Sequence, residues 1–304
     1  MSAIRNILVA TVAVASFASP VLAQEIDTIR IGLLGGENEA DRLADNQCLI
    51  DKLPAALGVK EVQLFPAADY DGVIQGLLGG TLDIAGLGAA AYAAVYLKDP
   101  NAVEPFLTNV QTDGSTGYYS FMLARKDSGI AKLEDAKGMK LGYADPDSTS
   151  GYLVPKVTLP DALGGVTPEE YFSETSFNGG HENNVLALLD GKIDVAVTWA
   201  SGVGAFAEGY TSGNIRSMVD KGMLDMEDVV EVWKSPLIPN GPLVMRTSLP
   251  QEMKDKIVAF YTALPTGDYE CFRSVENGDF TGYTPVEPDF YKAIIDARRS
   301  TVGG

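Results

Sequence analysis

Short apolar segments alternate with helical patterns along this chain, and the alternation limits the folds that the chain can adopt. Near the start, strand-like segments at 26–36, 62–67 and 82–88 are separated by helical patterns at 39–57 and 71–78. Strands that alternate with helices predict α/β units with a mainly parallel sheet. With 304 residues, the chain has room for two such units.

The pattern is repeated later in the chain. The segment LGGTLDIA has an echo in LDGKIDVA, and in both copies a helical pattern ends at glycine before a strand that carries one aspartate. These aspartates are Asp83 and Asp194, and Tyr70 and His181 each lie 13 residues before them. The repeat predicts two α/β lobes of similar plan, with Tyr70 and His181 each where a helix begins.

Two further segments are typical of strands that cross between lobes, at 119–130 and at 231–250. We therefore predict a first lobe formed by residues 24–117 and 237–304, and a second lobe formed by residues 118–236. Open α/β sheets bind ligands at the carboxyl ends of their strands, which here face the cleft between the lobes.

The N-terminal 23 residues have the pattern of a secretory signal peptide. Arg5 precedes an apolar run at 7–17, and Val21-Leu22-Ala23 has the small-x-small form of a cleavage site. The alternative is a buried N-terminal helix. We predict a signal peptide over residues 1–23, cleaved after Ala23, and a mature protein that is located in the periplasm.

Composition excludes several classes of function. The net charge of −18 disfavours nucleic acid as a partner, because the phosphate backbone would be repelled. One histidine and two cysteines exclude zinc sites built on His pairs or Cys clusters, and we expect neither a metal nor a cofactor. In an oxidising compartment, Cys48 and Cys271 would either form a disulfide or remain two separate buried thiols.

The segment Ser148-Thr149-Ser150-Gly151 follows a predicted strand and opens a predicted helix. Three hydroxyls and the free backbone N–H groups of a helix N-terminus can bind an anion without a cation. Ordinary N-capping is the alternative, and it requires only one hydroxyl. His181, which follows two glycines, can donate to an oxyanion, as can the phenols of Tyr70 and Tyr118, although both tyrosines could equally belong to the core.

Together these segments resemble the phosphate, phosphite and phosphonate substrate-binding proteins of bacterial ABC importers, and in particular the phosphonate-binding branch. The resemblance is carried, in order, by ADYDGVIQG, DGSTGYYS, ADPDSTSGYLVP, GGHENN, IDVAV and VWKSPLIPNGP. It implies a two-lobed periplasmic binding protein of type II, which closes on its ligand like a Venus flytrap and delivers it to a membrane permease. It also implies which residues hold the phosphonate oxygens: Tyr70, Tyr118, Ser148, Thr149, Ser150 and His181.

The sequence departs from this family where members grip the amino group of an aminoalkyl phosphonate with two carboxylates. Ser201 and Gly241 stand at those two places. A bound ammonium would then need another partner. The candidates are Glu37, Asn38, Glu39, Trp199 and Ser201 itself. Trp199 would act through a cation–π contact.

The resemblance predicts a non-catalytic receptor, expected to act as a monomer, for 2-aminoethylphosphonate or a related alkyl phosphonate. One alternative is a receptor for phosphite, phosphate or another oxyanion. The other is a secreted phosphate-ester or acyl-ester hydrolase with Ser148 or Ser150 as nucleophile and His181 as base. The G-x-S-x-G nucleophile elbow is absent from the sequence, which argues against the hydrolase.

Overall fold

The computed structural model describes residues 26–302, which fold around two mixed β-sheets. In chain order the strands are β1 (Thr28–Leu33), β2 (Glu61–Pro66), β3 (Ile84–Gly86), β4 (Val103–Gln111), β5 (Gly117–Arg125), β6 (Lys140–Tyr143), β7 (Glu174–Phe177), β8 (Val195–Ala200), β9 (Val229–Lys234), β10 (Ile238–Pro239), β11 (Pro242–Arg246) and β12 (Phe280–Pro285).

Helices pack against both sheets. They are α1 (Glu39–Asp45), α2 (Gln47–Leu57), α3 (Tyr70–Leu78), α4 (Ala89–Lys98), α5 (Val154–Ala162), α6 (Pro168–Tyr171), α7 (His181–Leu189), α8 (Asn214–Asp220), α9 (Gln251–Gly267), α10 (Tyr269–Glu276) and α11 (Lys292–Val302). Short 3₁₀ turns lie at Lys126–Ser128, Leu133–Ala136, Phe206–Glu208 and Pro288–Tyr291, and one π-helical turn spans Thr149–Leu153.

Each sheet forms one lobe, and the two lobes share a plan. The first sheet has the strand order β12-β4-β11-β3-β1-β2, and β1 is parallel to both β2 and β3. The second has the order β10-β5-β8-β6-β7, with β9 also paired to β5, and β6 is parallel to both β7 and β8. The predicted two-lobed α/β fold is confirmed.

The internal repeat is visible as matching hydrogen bonds. In the first lobe, Asp83 Oδ2 accepts from the backbone N–H of Arg30 at 2.9 Å. In the second lobe, Asp194 Oδ2 accepts from the backbone N–H of Lys140, also at 2.9 Å. Asp83 immediately precedes β3 and accepts from a residue inside the parallel strand β1, and Asp194 immediately precedes β8 and accepts from the first residue of the parallel strand β6. In both lobes the aspartate therefore satisfies an N–H of the neighbouring strand.

The predicted helix over 39–57 is two helices that meet at Asn46. Asn38 caps the first of them, since its side-chain oxygen accepts from Ala40 N at 2.9 Å. The second buries an apolar stripe of leucines against the first sheet: Leu49, Leu53 and Leu57. The buried leucines have helical spacing only from residue 49 onward, and α1 has no buried residues. Because the helix changes direction at Asn46, α2 can bury its leucines while α1 stays at the surface.

The chain crosses between the lobes twice, from β4 to β5 and from β10 to β11. Ile238 and Pro239 of β10 pair with Tyr118 and Gly117. β10 therefore belongs to the second sheet, although the predicted boundary between the lobes lies before residue 237. A disulfide joins Cys48 of α2 to Cys271 of α10. It ties the beginning of the first lobe to the part of that lobe that the chain completes last.

The signal peptide predicted for residues 1–23 lies outside the described residues. Within residues 26–302, no helix combines the length and the apolar character that crossing a membrane requires.

Candidate anion-binding site

A cavity of about 300 Å³ lies between the two lobes, and four helical segments begin beside it. In the first lobe these are α3, which starts at Tyr70, and α4, which follows Gly88. In the second lobe they are the π-helical turn, which starts at Thr149, and α7, which starts at His181. Because the first N–H groups of a helix lack intrahelical acceptors, these segments direct partial positive charge towards the cavity.

The π-helical turn provides the polar end of the cavity. Ser148, Thr149 and Ser150 are each only 1–2% exposed, and all three line the cavity. Ser148 caps the turn, since its Oγ accepts from Gly151 N at 3.0 Å. The backbone N–H groups of Thr149 and Ser150 have no acceptor within the described part of the chain. The Ser148 hydroxyl therefore caps the turn, while the hydroxyls of Thr149 and Ser150 and the two free amides can still donate to a ligand.

The turn itself is held in an unusual geometry. Leu153 N donates to Ser148 O at 3.0 Å, which is the i→i+5 bond of a π-helix. Ser120 Oγ donates to Ser150 O at 2.7 Å, from the neighbouring strand β5. Single π-turns are rare and occur frequently at functional sites.

His181 lies beside the serine cap and is uncharged. Its Nε2 is 3.0 Å from Ser148 Oγ, and its Nδ1 has no hydrogen-bond partner within residues 26–302. Burial lowers the pKa of this imidazole to about 3, because desolvation disfavours the charged form. His181 is therefore neutral at physiological pH and can provide one neutral N–H donor.

Two buried phenols complete the polar end. The Tyr70 hydroxyl lies near the Ser148 side chain, and the Tyr118 hydroxyl lies near the side chains of Ser150 and Thr149. Burial raises the pKa of both tyrosines above the usual value, and the nearby carboxylate of Glu37 raises that of Tyr70 further. Both phenols therefore keep their protons and can act as donors.

The lobes are in contact across the cavity. Thr149 Oγ1 of the second lobe accepts from Ala90 N, in the first turn of α4, at 2.9 Å. Lys221 Nζ of the second lobe lies 2.8 Å from Asp41 of α1. Arg298 of α11 pairs with Asp147, in the loop before the π-helical turn. The structure therefore represents the closed form of a two-lobed protein.

Two glycines make this closure possible. Gly36 in the first lobe and Gly180 in the second have positive φ angles, of 99° and 147°. A Cβ atom at Gly180 would lie 2.1 Å from the Gly36 Cα and 2.2 Å from its carbonyl oxygen. The two backbones touch directly, and neither position has room for a side chain in the closed form.

The structure places the six residues predicted to hold the phosphonate oxygens around this one cavity: Tyr70, Tyr118, Ser148, Thr149, Ser150 and His181. They come from the starts of three helical segments (α3, the π-helical turn and α7) and from the strand β5. In the first lobe only one of the six is found, which is Tyr70.

The further candidates are distributed differently. Glu37 and Trp199 line the cavity, and the Trp199 ring packs edge-on against Tyr118 with 5.3 Å between centroids. Asn38 and Glu39 are exposed at the start of α1, because capping turns Asn38 back onto its own helix. Ser201 is buried outside the cavity lining, and its Oγ lies 3.0 Å from Thr211 Oγ1.

Gly241 also lines the cavity, but a side chain cannot be accommodated there. A Cβ atom at this position would lie 1.9 Å from the carbonyl oxygen of Leu87. With this backbone, no carboxylate can be provided by residue 241.

Sequence reasoning missed a group of cavity-lining polar residues in the first lobe and at the crossings: Arg42, Asn109, Asn240, Glu276 and Tyr283. The Arg42 guanidinium donates to the Leu34 carbonyl at 2.7 Å. Within residues 26–302, no cluster of three or more His, Cys, Asp or Glu side chains is arranged to hold a metal ion.

Comparison with known proteins agrees with this architecture. Residues 31–291 match the model of a protein family described as "ABC transporter, phosphonate, periplasmic substrate-binding protein". A phosphonates-binding periplasmic protein of Escherichia coli is 32% identical over 248 residues, which are 80% of this chain and 68% of that protein. The phosphate-import protein PhnD of Mycolicibacterium smegmatis is 30% identical over 242 residues, which are 77% of this chain and 71% of that protein.

Solved structures share the fold. A binding protein component of an ABC phosphonate transporter from Pseudomonas aeruginosa superposes with a TM-score of 0.76 at 28% identity, covering 92% of this chain and 89% of its own. PhnD1 from Prochlorococcus marinus, solved in complex with methylphosphonate, gives a TM-score of 0.73 over 91% of this chain and 98% of its own. The latter is 16% identical, so it bears on the fold alone.

Proposed function

The chain belongs to the family of phosphonate substrate-binding proteins of periplasmic ABC transporters, and we propose that it captures a phosphonate between its lobes and delivers it to an ABC permease. The observation that carries this proposal is the convergence of helix N-termini and neutral hydroxyls on one buried cavity. Tyr70 and α4 approach from one lobe, and the turn at Ser148–Ser150 with His181 approaches from the other.

Ligand capture follows from this division of donors. An anion that enters the open cleft would first meet only one half of the donor set. Lobe closure adds the other half, so the ligand has a higher affinity for the closed form and shifts the equilibrium towards it. Since the donors are neutral, the geometry of the oxyanion and its protons determine selection more than net charge does.

For the ligand we propose 2-aminoethylphosphonate or a related alkyl phosphonate. The polar end of the cavity fits the phosphonate oxygens. The cavity is also lined by the carboxylate of Glu37, near Tyr70, and by the indole of Trp199, which packs against Tyr118. A negative charge and an aromatic face favour a ligand that carries a positive charge as well as the phosphonate. Phosphate is the second candidate, because a relative at 30% identity is a phosphate-import protein.

The site supports binding without turnover. A base must be close to its nucleophile and is usually oriented by a third group. His181 has a pKa of about 3, which makes it a weak base at neutral pH, and its Nδ1 has no orienting partner among the described residues. Ser148 Oγ is engaged by both the Gly151 amide and the imidazole.

We further propose that the mature protein is a periplasmic monomer that begins after Ala23. The proposed lobes are residues 24–117 with 237–304, and residues 118–236, apart from the short strand β10, which pairs with the second sheet. The intact mass of the protein exported by its host tests the cleavage site, and light scattering with and without ligand tests the monomer.

Calorimetric competition tests the ligand directly. The purified protein would be titrated with 2-aminoethylphosphonate, methylphosphonate, phosphite and phosphate. We expect 2-aminoethylphosphonate to bind most tightly, with no product formed on long incubation. If phosphate bound tenfold more tightly, which is about 1.4 kcal/mol, the phosphonate proposal would be wrong. If the protein hydrolysed p-nitrophenyl phosphate and Ser150→Ala abolished that activity, the hydrolase hypothesis would be supported instead.

A further inference from the structure

Glu276, the last residue of α10, lines the same cavity as the Ser148–Ser150 turn. Its Oε2 accepts from Asn109 Nδ2 at 2.6 Å, and its Oε1 accepts from the phenol of Tyr283. These partners lie on neighbouring strands, where Tyr283 of β12 is directly opposite Asn109 of β4. The strand pair therefore fixes the carboxylate from two sides.

This carboxylate has no cation beside it. Neutral groups are its only hydrogen-bond partners, and no lysine, arginine or histidine within residues 26–302 forms an ion pair with it. Burial raises the pKa of Glu276, opposed only by the Tyr283 and Asn109 hydrogen bonds. Glu276 is half-buried. A carboxylate that is partly removed from water and has no counter-ion is destabilising, because hydrogen bonds alone do not replace the lost hydration.

Glu37, the other carboxylate of the cavity, has a different environment. Burial raises its pKa too, but the positive charges of Lys221 and Arg42 oppose that shift. Of the two carboxylates, Glu276 is therefore the one whose charge the protein leaves uncompensated.

The region around Glu276 is continuous with the crossing segments of the cleft. Asn240 Nδ2 donates to Asn109 O at 2.9 Å, and Thr108 Oγ1 donates to Gly241 O at 2.9 Å. The side-chain oxygen of Asn109 has no partner among the described residues. Acceptors are therefore in excess at this part of the cavity, whereas donors are in excess at the Ser148–Ser150 turn.

We propose that Glu276, held by Asn109 and Tyr283, is a distal subsite that binds the positively charged end of a zwitterionic phosphonate. The inference rests on the proposed function and adds the side chain that recognises the cationic end of the ligand. One end of the cavity holds the phosphonate with neutral donors, and the other supplies a negative charge. The spacing between the two ends then selects the length of the carbon chain.

The test compares ligands that differ only in the amine. Calorimetry measures ethylphosphonate and 2-aminoethylphosphonate on the wild-type protein, on Glu276→Gln and on Glu270→Gln. The last is a matched control, since Glu270 is an exposed carboxylate on the same helix. We expect the wild type to prefer the amine, Glu276→Gln to reduce that preference tenfold or more with ethylphosphonate affinity within threefold, and Glu270→Gln to change neither.

A second variant separates recognition from a structural role. Glu276→Asp keeps the charge but withdraws it by one methylene, so the preferred ligand should lengthen by one carbon. We expect 3-aminopropylphosphonate to gain on 2-aminoethylphosphonate by at least fivefold relative to the wild type. A variant that merely loosened α10 would weaken both ligands alike.

The outcomes separate the two proposals. If the wild type binds no phosphonate, the proposed function fails. If it binds both ligands but without preference for the amine, or if both Glu276 variants keep the wild-type preference and its chain length, the function stands and the distal subsite is refuted. Equal losses for both ligands in Glu276→Gln, without the length shift in Glu276→Asp, also refute the subsite.

Discussion

Replacement of Gly180 by alanine should uncouple ligand binding from lobe closure. The added Cβ atom would lie 2.1 Å from the Gly36 Cα, far inside van der Waals contact, and the atoms it meets are all backbone. Neither loop can relieve this contact by a change of rotamer. We therefore expect the lobes of the variant to remain apart, with each lobe folded as in the wild type.

The size of the effect follows from the donors that closure brings to the ligand. With the lobes apart, an anion on the Ser148–Ser150 turn loses the Tyr70 phenol and the N–H group of Ala89 at the start of α4, since the Ala90 N–H donates to Thr149. Hydrogen bonds to charged groups contribute about 1.5–3 kcal/mol each, so the loss of two such donors should cost about 3–6 kcal/mol. At about 1.4 kcal/mol per tenfold, the affinity should fall by roughly 10² to 10⁴.

The assay combines calorimetry with small-angle scattering. The wild type should contract when the phosphonate is added, and Gly180→Ala should not. Gly165→Ala is the control, since Gly165 also has a positive φ, of 92°, yet a Cβ there meets nothing within 4 Å. Loss of affinity in both variants would show that backbone strain, rather than the inter-lobe contact, is responsible. Wild-type affinity and contraction in Gly180→Ala would refute the closure argument.

Other predictions address the Thr149 and Ser150 hydroxyls, the disulfide and the Glu37 carboxylate. Thr149→Ala combined with Ser150→Ala should weaken phosphonate binding by about 3–6 kcal/mol, since a buried charge loses two hydroxyl donors; a calorimetric loss of less than threefold would remove these hydroxyls from the site. Cys48→Ser with Cys271→Ser should lower the free energy of unfolding by up to about 5 kcal/mol, because the disulfide closes a loop of 223 residues, while ligand affinity at 25 °C stays within threefold; an unchanged urea midpoint would contradict this. Burial raises the pKa of Glu37 above its unfolded value, so the folded state binds the proton more tightly than the unfolded state does. The free energy of unfolding therefore falls as pH rises through the folded pKa. Glu37→Gln should therefore stabilise the ligand-free protein at pH 7, by about 1.4 kcal/mol for each pH unit by which burial raises the pKa of Glu37. The gain should disappear towards pH 4. Urea unfolding between pH 4 and pH 7 measures it, and a variant no more stable than the wild type at pH 7 would contradict the reasoning.

The plan of the lobes could be predicted because local patterns determine it. The echo around Asp83 and Asp194 corresponds to the same N–H···carboxylate bond in both lobes. The helix start at Ser148 was also predictable, since a capping hydroxyl after a strand is a local signal. The π-helical geometry of that turn was not, because its i→i+5 bonds depend on packing against β5 rather than on the turn's own sequence.

The acidic part of the cavity could not be predicted for a different reason. Glu276 lies on an amphipathic helix, where a glutamate normally faces water. Its partners Asn109 and Tyr283 are 167 and 7 residues away along the chain, and only the pairing of β4 with β12 brings the three together. Asn38 and Glu39 were candidates because they are polar and near a strand end, but the capping of α1 directs them to solvent.

The uncharged imidazole of His181 has a consequence for how such a protein would respond to its surroundings. With a pKa of about 3, this side chain keeps the same proton count throughout mildly acidic and neutral media. Any variation of phosphonate affinity across that range must then arise from the second ionisation of the solute or from the cavity carboxylates. The protein would therefore sense acidification through its ligand or through the cavity carboxylates rather than through its only histidine.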